Sequence, residues 1–237
     1  MARLNVRKTY KLYINGEFPR TESGRFYPIR AKGGELLANA CRGSRKDLRN
    51  AVVAARKAQA GWSGKTAYNR GQILYRIAEV CESRAGELVD ELKRQGSSAS
   101  DAKKEIERVI DRWVYYAGWS DKYPQVFGSV NPVAGPYYNF TVPEPTGVVG
   151  VVAPEEPALL GLVSRVAPVI VGGNTVVAIT SESKPLPAIT LAEVFENSDV
   201  PAGVINLISG LKSELVPWIV SHMDVNAVDT TGVAADV

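Results

Sequence analysis

The sequence predicts an α/β protein built on a doubly wound parallel sheet. Four short runs rich in apolar and β-branched residues lie in the second half of the chain, at 148–153, 175–179, 204–208 and 226–228. Helical spacing of apolar residues connects them, for example at 159–171 and 187–196. Continuous apolar strands that alternate with helices are typical of a parallel sheet covered on both faces.

Composition indicates a folded, globular protein. Apolar residues make up 45% of the 237 residues and charged residues 22%, which is near the average for soluble domains. The 28 basic and 25 acidic residues are spread along the chain, so the net charge of +3 indicates no nucleic-acid surface. Because no stretch has the length and apolarity of a signal peptide or a membrane span, we expect a cytoplasmic protein without a membrane partner.

Cysteine and histidine are too few for a metal centre or a disulfide framework. The chain has two cysteines, Cys41 and Cys81, and one histidine, His222. Zinc sites need about four such ligands at characteristic spacings. We therefore predict no metal site. Cys81 has helical spacing with Leu74 and Ile77, so it is expected to be a small buried apolar residue.

The first half of the chain is predicted to be mainly helical after a short hairpin. Two short strands, 11–14 and 17–18, flank an Asn15-Gly16 turn. Ser44 and Asp47 have capping-box spacing and open a helix over about 44–60. Another helix is expected to begin near Thr66, and a third contains Ile106, Ile110, Trp113 and Ala117 on one face.

Three regions of the chain follow from this pattern. Residues 1–127 hold the hairpin and the helical part, 128–146 form a protruding hairpin region, and 147–237 form the βαβ core. Within the middle region, 137–142 alternates aromatic rings with smaller side chains before Pro143 and Pro145. Proline cannot donate to a sheet ladder, so this strand is expected at an edge or outside the main sheet.

Several segments together resemble the aldehyde dehydrogenase superfamily. Segments 144–154, 173–177, 181–182 and 200–210 stand in the order and at the spacing of that family, and 13–16 and 115–122 are similar to it as well. The chain is most similar to the truncated, non-catalytic module of tandem type 16 aldehyde dehydrogenases and to its stand-alone bacterial relatives. This closer resemblance rests on segments 8–14, 18–20, 22–25, 68–71 and 221–224.

The resemblance implies an atypical Rossmann domain that binds NAD or NADP. In such sheets ligands bind outside the carboxyl ends of the strands. The positions that match the family's cofactor-binding segments are predicted to form a vestigial cofactor site: Val152, Ala153, Pro154, Ser181, Glu182 and Gly210. For Glu182, a contact with the adenosine ribose and a solvated surface carboxylate both remain open.

Departures from the family pattern predict weak cofactor binding. Glu155-Glu156 stands where the family has Trp-Asn, and an ionised carboxylate cannot donate the hydrogen bond that the asparagine amide gives to an oxyanion. Ile179 stands where the family has a lysine. The family's Phe-Thr-Gly-Ser element corresponds only to 230–233. Two carboxylates near a pyrophosphate are expected to oppose binding by about 1–4 kcal/mol each, so NAD or NADP is possible but not required.

The predicted function is a non-catalytic, aldehyde dehydrogenase-like protein. The family's nucleophilic cysteine lies in a second domain that follows the part matched here, and Cys41 and Cys81 are expected in the helical region, away from the cofactor edge. The resemblance also implies that the hairpin of 128–146 extends a neighbouring subunit's sheet, either in a homo-oligomer or with a full-length aldehyde dehydrogenase. Two alternatives remain: a fragment of an NAD(P)-dependent aldehyde dehydrogenase, and a weak nucleotide-binding module.

Overall fold

The computed structural model describes residues 8–233. Helices and strands in this range alternate most regularly after residue 147. Their bounds, in chain order, are β1 Phe26–Arg30, β2 Leu36–Cys41, α1 Arg45–Ser63, α2 Ala67–Ser83, α3 Ala85–Arg94, α4 Ala99–Ala117, α5 Tyr123–Phe127, β3 Ser129–Val130, β4 Phe140–Thr141, β5 Val148–Val152, α6 Ala158–Val171, β6 Thr175–Ile179, α7 Leu186–Glu196, β7 Ile205–Ile208, α8 Lys212–Val220 and β8 Ala227–Asp229.

A four-stranded parallel sheet organises the second half, as the sequence predicts. Its strands run in the order β7-β6-β5-β8. Every residue of β5, β6 and β7 is buried, which explains their continuous apolar character, since helices cover both faces. The predicted fold class is confirmed.

Alternate side chains of the strands feed two cores. On one face, Val148, Val177 and Ile208 pack with Leu48 of α1 and Ile219 of α8. The other face joins β5–β7 to residues of α6 and α7 and to the helical layer of α2, α3 and α4. This period-two alternation between faces is what a strand covered on both sides requires.

The N-terminal hairpin forms as predicted and extends the sheet. Asn15 and Gly16 have φ values of 56° and 74°, the left-handed pair that a tight hairpin turn requires. Ile14 and Glu17 exchange two backbone hydrogen bonds of 3.0 Å. Tyr13 pairs antiparallel with Leu207, so the hairpin lies on the β7 edge.

The first two helices begin where the sequence predicts, and the region contains four further elements. Ser44 and Asp47 form the capping box of α1, and the Thr66 side chain caps α2. The additional elements are the antiparallel pair β1–β2 and the short helices α3 and α5. The expectation of a mainly helical first half missed β1–β2 because neither strand shows alternating apolar and polar residues. In β1 the apolar Phe26 is exposed, and β2 begins with two adjacent leucines.

A small exposed arm projects from the body between α5 and β5. We call residues 128–142 the arm. Ser129 and Val130 pair with Thr141 and Phe140 in an antiparallel ribbon. The predicted strand over 137–142 is thus shorter than expected, and it lies outside the parallel sheet, as expected. Within residues 8–233, no helix is both long and apolar enough to cross a bilayer.

Candidate functional site

The candidate site lies at the carboxyl ends of β5, β6 and β7. Three connections meet there: 153–157 after β5, 180–185 after β6 and 209–211 after β7. This is the edge at which open α/β sheets bind ligands. We call the space bordered by these connections the cleft.

The carboxylate of Glu155 is bound by the connection after β6. One of its oxygens accepts hydrogen bonds from Ser181 Oγ at 2.8 Å and from the Ser183 backbone N–H and Oγ at 2.9 and 2.6 Å. Its other oxygen accepts the Glu182 backbone N–H at 3.1 Å. The donors of this connection are therefore used by a side chain of the same protein.

Lys212 supplies the positive charge of the cleft. Its ammonium forms an ion pair with Glu155 and donates to the carbonyl oxygens of Ala153 at 2.7 Å and Gly232 at 2.9 Å. Lys212 is only 5% exposed. A buried lysine is stable when its three donors are all satisfied, and here three acceptors surround it.

These contacts set the ionisation of Glu155. Partial burial acts to raise the pKa of its carboxyl, but hydrogen bonds from Lys212, Ser183 and Glu182 outweigh burial and lower the pKa to about 2. Donors that bind the charged form favour it. Glu155 is therefore an anion at neutral pH, held in place by five donor groups.

Two helix starts near the sheet are also filled by glutamates. A Glu105 oxygen on α4 accepts the backbone N–H groups of Leu159 and Leu160, both at 3.0 Å, at the start of α6. A Glu182 oxygen accepts the Lys212 N–H at 2.7 Å, at the start of α8. Helix N-termini commonly bind phosphate or carboxylate groups. In this protein, side-chain carboxylates take that position.

Glu156 points to a different partner from Glu155. It forms an exposed ion pair with Lys184. From the sequence, both carboxylates are expected to repel a pyrophosphate as unpaired charges. That expectation was wrong, because Lys212 and Lys184 pair with the carboxylates and weaken the repulsion. What Glu155 does is occupy the donors of the connection after β6.

Five of the six predicted cofactor residues divide into two groups. Ala153, Ser181 and Glu182 meet around Glu155 and Lys212, as described above. Pro154 instead packs against α6, where its Cγ lies 2.4 Å from the position of a Cβ on Gly161. Gly210 allows close approach of the chain at Gly43, whose backbone nitrogen lies 3.1 Å from the position of a Cβ on Gly210. Pro154 and Gly210 thus have packing contacts, and their role at a cofactor stays a prediction.

Val152 and the segment 230–233 lie together at the end of β5. The Gly232 N–H donates to the Val152 carbonyl at 3.1 Å. A Cβ on Gly232 would lie 2.2 Å from the Ala153 carbonyl oxygen, so only glycine fits there. The segment that resembles the family's Phe-Thr-Gly-Ser element is thus packed onto the strand.

Ile179, which stands in place of the family's lysine, is fully buried. It packs in the core between the sheet and α1 with Val152 and Ile208. A side chain in that core presents no polar atom to a ribose. The position therefore contributes to packing.

The two thiols are buried, but only one lies where it was expected. Cys81 is fully buried, and burial raises its pKa to about 12. Cys41 is the last residue of β2, and its carbonyl accepts Ser209 Oγ at 2.8 Å beside the end of β7. The expectation that Cys41 lies in the helical region was wrong because β1–β2 was not predicted.

Sequence reasoning missed Lys212, Ser183 and Glu105. Lys212 follows β7 by four residues and Ser183 follows β6 by four. Both residues therefore lie just after strand ends, where the sequence already predicts ligand-binding residues such as Glu182 and Gly210. Glu105 left no comparable signal, since its contact with α6 spans 54 residues of sequence. Among the described residues, no group of three His, Cys, Asp or Glu side chains could hold a metal ion.

Comparison with known proteins gives a family match over most of the chain. Residues 19–235 match the model of the aldehyde dehydrogenase family. The chain is 34% identical over 227 residues to mitochondrial benzaldehyde dehydrogenase of Antirrhinum majus, covering 94% of this chain and 42% of that protein. It is 33% identical over 231 residues to retinal dehydrogenase 2 of Homo sapiens, covering 95% and 44%.

Solved structures show the same relation. The NAD+ complex of aldehyde dehydrogenase from Bacillus cereus superposes with a TM-score of 0.89 at 29% identity, covering 93% of this chain and 45% of that one. The chain thus spans less than half the length of the relatives it matches. The sheet order, the motifs and these matches together show that the chain belongs to the aldehyde dehydrogenase family, of which it corresponds to the N-terminal, Rossmann-like half.

Proposed function

We propose that this chain is a non-catalytic member of the aldehyde dehydrogenase family that acts by associating with a complete aldehyde dehydrogenase. One observation carries the proposal: Glu155 occupies the donors of the connection after β6. A cleft whose donors are used internally suits a protein that contributes structure to an assembly more than one that turns over a cofactor.

The residues of the cleft do not fit a tightly bound NAD. A dinucleotide needs donors for its phosphates and polar contacts for its ribose. Glu155 already occupies the donors that the phosphates would need. At the positions that would contact the ribose, Ile179 is buried and one Glu182 oxygen already caps α8. Hydrogen bonds to a charged group are worth about 1.5–3 kcal/mol each, so displacing Glu155 costs a ligand several such bonds.

The arm supports the association part of the proposal. It exposes a set of large apolar side chains, namely Val130, Val133, Tyr137, Tyr138, Phe140 and Val142. Tyr138 and Phe140 stack with ring centroids 5.3 Å apart. An exposed two-stranded ribbon with apolar rings invites pairing with another chain. Residues 230–233 do not cover the arm, since Gly232 lies against Val152 and Ala153.

A second candidate is the cofactor-binding half of an active NAD-dependent aldehyde dehydrogenase. It is favoured by the family match and by the superposition on the Bacillus cereus enzyme, whose structure contains NAD+. A third candidate, a weak nucleotide-binding module, keeps the cleft but needs no partner. The second candidate requires tight NAD binding, and the first does not.

Co-purification tests the association. The untagged protein is isolated from its source, and the proteins that travel with it are identified by mass spectrometry. We expect a complete aldehyde dehydrogenase in stoichiometric amount. Isolation of the chain alone, or only with unrelated proteins, would contradict the proposal. A variant altered in the arm serves as the control for non-specific recovery.

A further inference from the structure

A second cavity lies apart from the cleft, beside the antiparallel pair β1–β2. Its volume is about 500 Å³, and residues of the segments 8–10, 20–26 and 36–41 line it. We call it the side cavity. None of its lining residues belongs to the three connections that border the cleft. Small-molecule sites have volumes of about 300–1,000 Å³, so the side cavity is large enough to hold a ligand.

Apolar side chains supply much of the surface of the side cavity. Leu36, Leu37 and Ala38 of β2 line it together with the rings of Tyr10 and Phe26. Tyr10 is buried, whereas Phe26 is 61% exposed. An exposed ring gains buried apolar area when a ligand covers it. This lining therefore suits a ligand with an apolar body.

The buried polar groups of the side cavity are bound within the fold. The Tyr10 hydroxyl donates to a Glu91 oxygen and accepts a hydrogen bond from Arg94 Nη1 at 2.8 Å. Thr21 Oγ1 donates to Asp47 Oδ2 at 2.6 Å. Groups that the fold already positions lose little freedom when a ligand binds. The wall is thus preorganised, and these polar groups need no ligand.

Two of the charged residues that line the side cavity are also paired within the fold. The Lys8 ammonium lies 3.2 Å from a Glu87 oxygen and 2.8 Å from a Glu193 oxygen. The Glu22 carboxylate lies 3.1 Å from the Lys46 ammonium. A charge that already has a partner gains little from a new one, so neither Lys8 nor Glu22 is expected to select a ligand.

Arg20 and Arg25 are the unpaired charges of the side cavity. Both residues line it and are exposed, and within residues 8–233 neither guanidinium has an ion pair or a hydrogen bond. Hydrogen bonds from Arg42 lower the pKa of Glu214, and the charge of Arg25 lowers it further, but Arg42 already occupies that carboxylate. Guanidinium groups bind carboxylates through two parallel hydrogen bonds. The side cavity therefore combines an apolar lining with two free donors for an anion.

We propose that the side cavity binds a small molecule that has an apolar body and one carboxylate, such as a medium-length alkanoate. The apolar body packs against β2 and Tyr10, and the carboxylate accepts hydrogen bonds from Arg20 and Arg25. A single negative charge fits better than two, because the Glu22 carboxylate also lines the cavity and repels a dianion. This site is additional to the cleft and does not depend on the function proposed above.

Calorimetric titration with octanoate tests the proposed ligand class. Octanoate should bind about 15-fold more tightly than hexanoate, because it buries two further CH2 groups at about 0.8 kcal/mol each. Octylamine has the same chain with a positive charge at neutral pH, and octyl phosphate has the chain with a second negative charge. Both should bind more weakly than octanoate.

Substitutions at the two arginines test the proposed location. Arg20→Gln and Arg25→Gln should each weaken octanoate binding about fivefold, which is what an exposed ion pair of about 1 kcal/mol contributes. Arg49→Gln is the matched control, because Arg49 is an exposed arginine on α1 outside the side cavity. In NMR spectra of wild type, octanoate should shift the backbone amide signals of Phe26 and Ala38.

Four results would overturn the proposal. They are an absence of octanoate binding, equal affinities of wild type and the two arginine variants, tighter binding of octylamine or octyl phosphate than of octanoate, and amide shifts confined to the cleft. The arginine variants change exposed side chains, so circular dichroism should show that they fold as wild type does. Tight NAD binding by wild type would contradict the proposed function and leave the octanoate result unaffected.

Discussion

The cleft and the arm differ in whether their side chains find partners within the chain. In the cleft, backbone donors, hydroxyls and the Lys212 ammonium all find acceptors within the chain. In the arm, the rings of Tyr137, Tyr138 and Phe140 are exposed, and no larger sheet within residues 8–233 covers them. The polar groups of the cleft are thus satisfied by the fold itself, whereas the apolar rings of the arm are left exposed.

This difference indicates which surface is available to a partner. A satisfied polar network gains nothing from a ligand that merely replaces one acceptor by another. An exposed apolar ribbon gains both buried area and backbone hydrogen bonds when another strand pairs with it. On these physical grounds we expect a partner to bind the arm rather than the cleft.

The largest expected effect comes from breaking the arm. The double substitution Tyr138→Pro and Phe140→Lys removes a backbone donor and places a charge on the ribbon. We expect the protein to change from an oligomer to a folded monomer, as measured by light scattering. Phe26→Lys is the matched control because Phe26 is an equally exposed ring on β1. An unchanged mass with intact folding would rule out association through the arm.

Removal of the Lys212 charge is the next largest effect. Lys212→Met leaves the carbonyls of Ala153 and Gly232 and the Glu155 carboxylate without their cation. Loss of one partner of a buried ion pair costs about 3–5 kcal/mol. The Glu155 side chain is 42% exposed, so we expect a smaller loss of about 2–3 kcal/mol of unfolding free energy, measured by urea denaturation. Lys184→Met is the control, because its partner Glu156 is exposed and such pairs contribute at most about 1 kcal/mol. Equal losses in both variants would contradict the burial argument.

Glu155→Gln should have a smaller effect that depends on pH. A pKa lowered from 4.5 to about 2 corresponds to at most about 3 kcal/mol, and solvent screening of this partly exposed side chain reduces that to about 1–2 kcal/mol. The stabilisation is fully present above pH 4.5 and is lost as the pH falls toward 2, since the carboxylate is protonated over that range. A stability difference between wild type and Glu155→Gln that is independent of pH would count against the ion pair.

The last prediction is that the chain by itself does not oxidise aldehydes. The purified 237-residue chain with NAD or NADP should oxidise simple aldehydes no faster than buffer does. Cys41 and Cys81 are 8% and 0% exposed, and burial raises the pKa of Cys81, so neither thiol is an activated nucleophile. Turnover that Cys41→Ala or Cys81→Ala abolishes would show that a thiol works as a catalyst.

The sequence predicts the parallel sheet and the N-terminal hairpin well, because their signals are local. The apolar runs of β5, β6 and β7 and the Asn15-Gly16 turn each lie within a few residues. The pairing of β1 with β2 is less apparent, since β1 is largely exposed.

The internal contacts of the cleft are the part that sequence could not supply. Glu155 reaches Ser183 across 28 residues, and Lys212 reaches Ala153 across 59. No local pattern encodes such contacts. From the sequence, Glu155 is a departure from the family pattern that is expected to repel a pyrophosphate. In the structure, it occupies the donors of the connection after β6.

Calorimetric titration with NAD tests most directly whether Glu155 keeps NAD out of the cleft. Wild type is compared with Glu155→Ala, which removes the side chain that occupies the donors of the connection after β6. We predict an affinity in the high micromolar range or weaker for wild type, and an affinity roughly tenfold tighter for the variant, equivalent to about 1.4 kcal/mol. Low-micromolar binding by wild type, or an unchanged weak affinity in the variant, would contradict the claim.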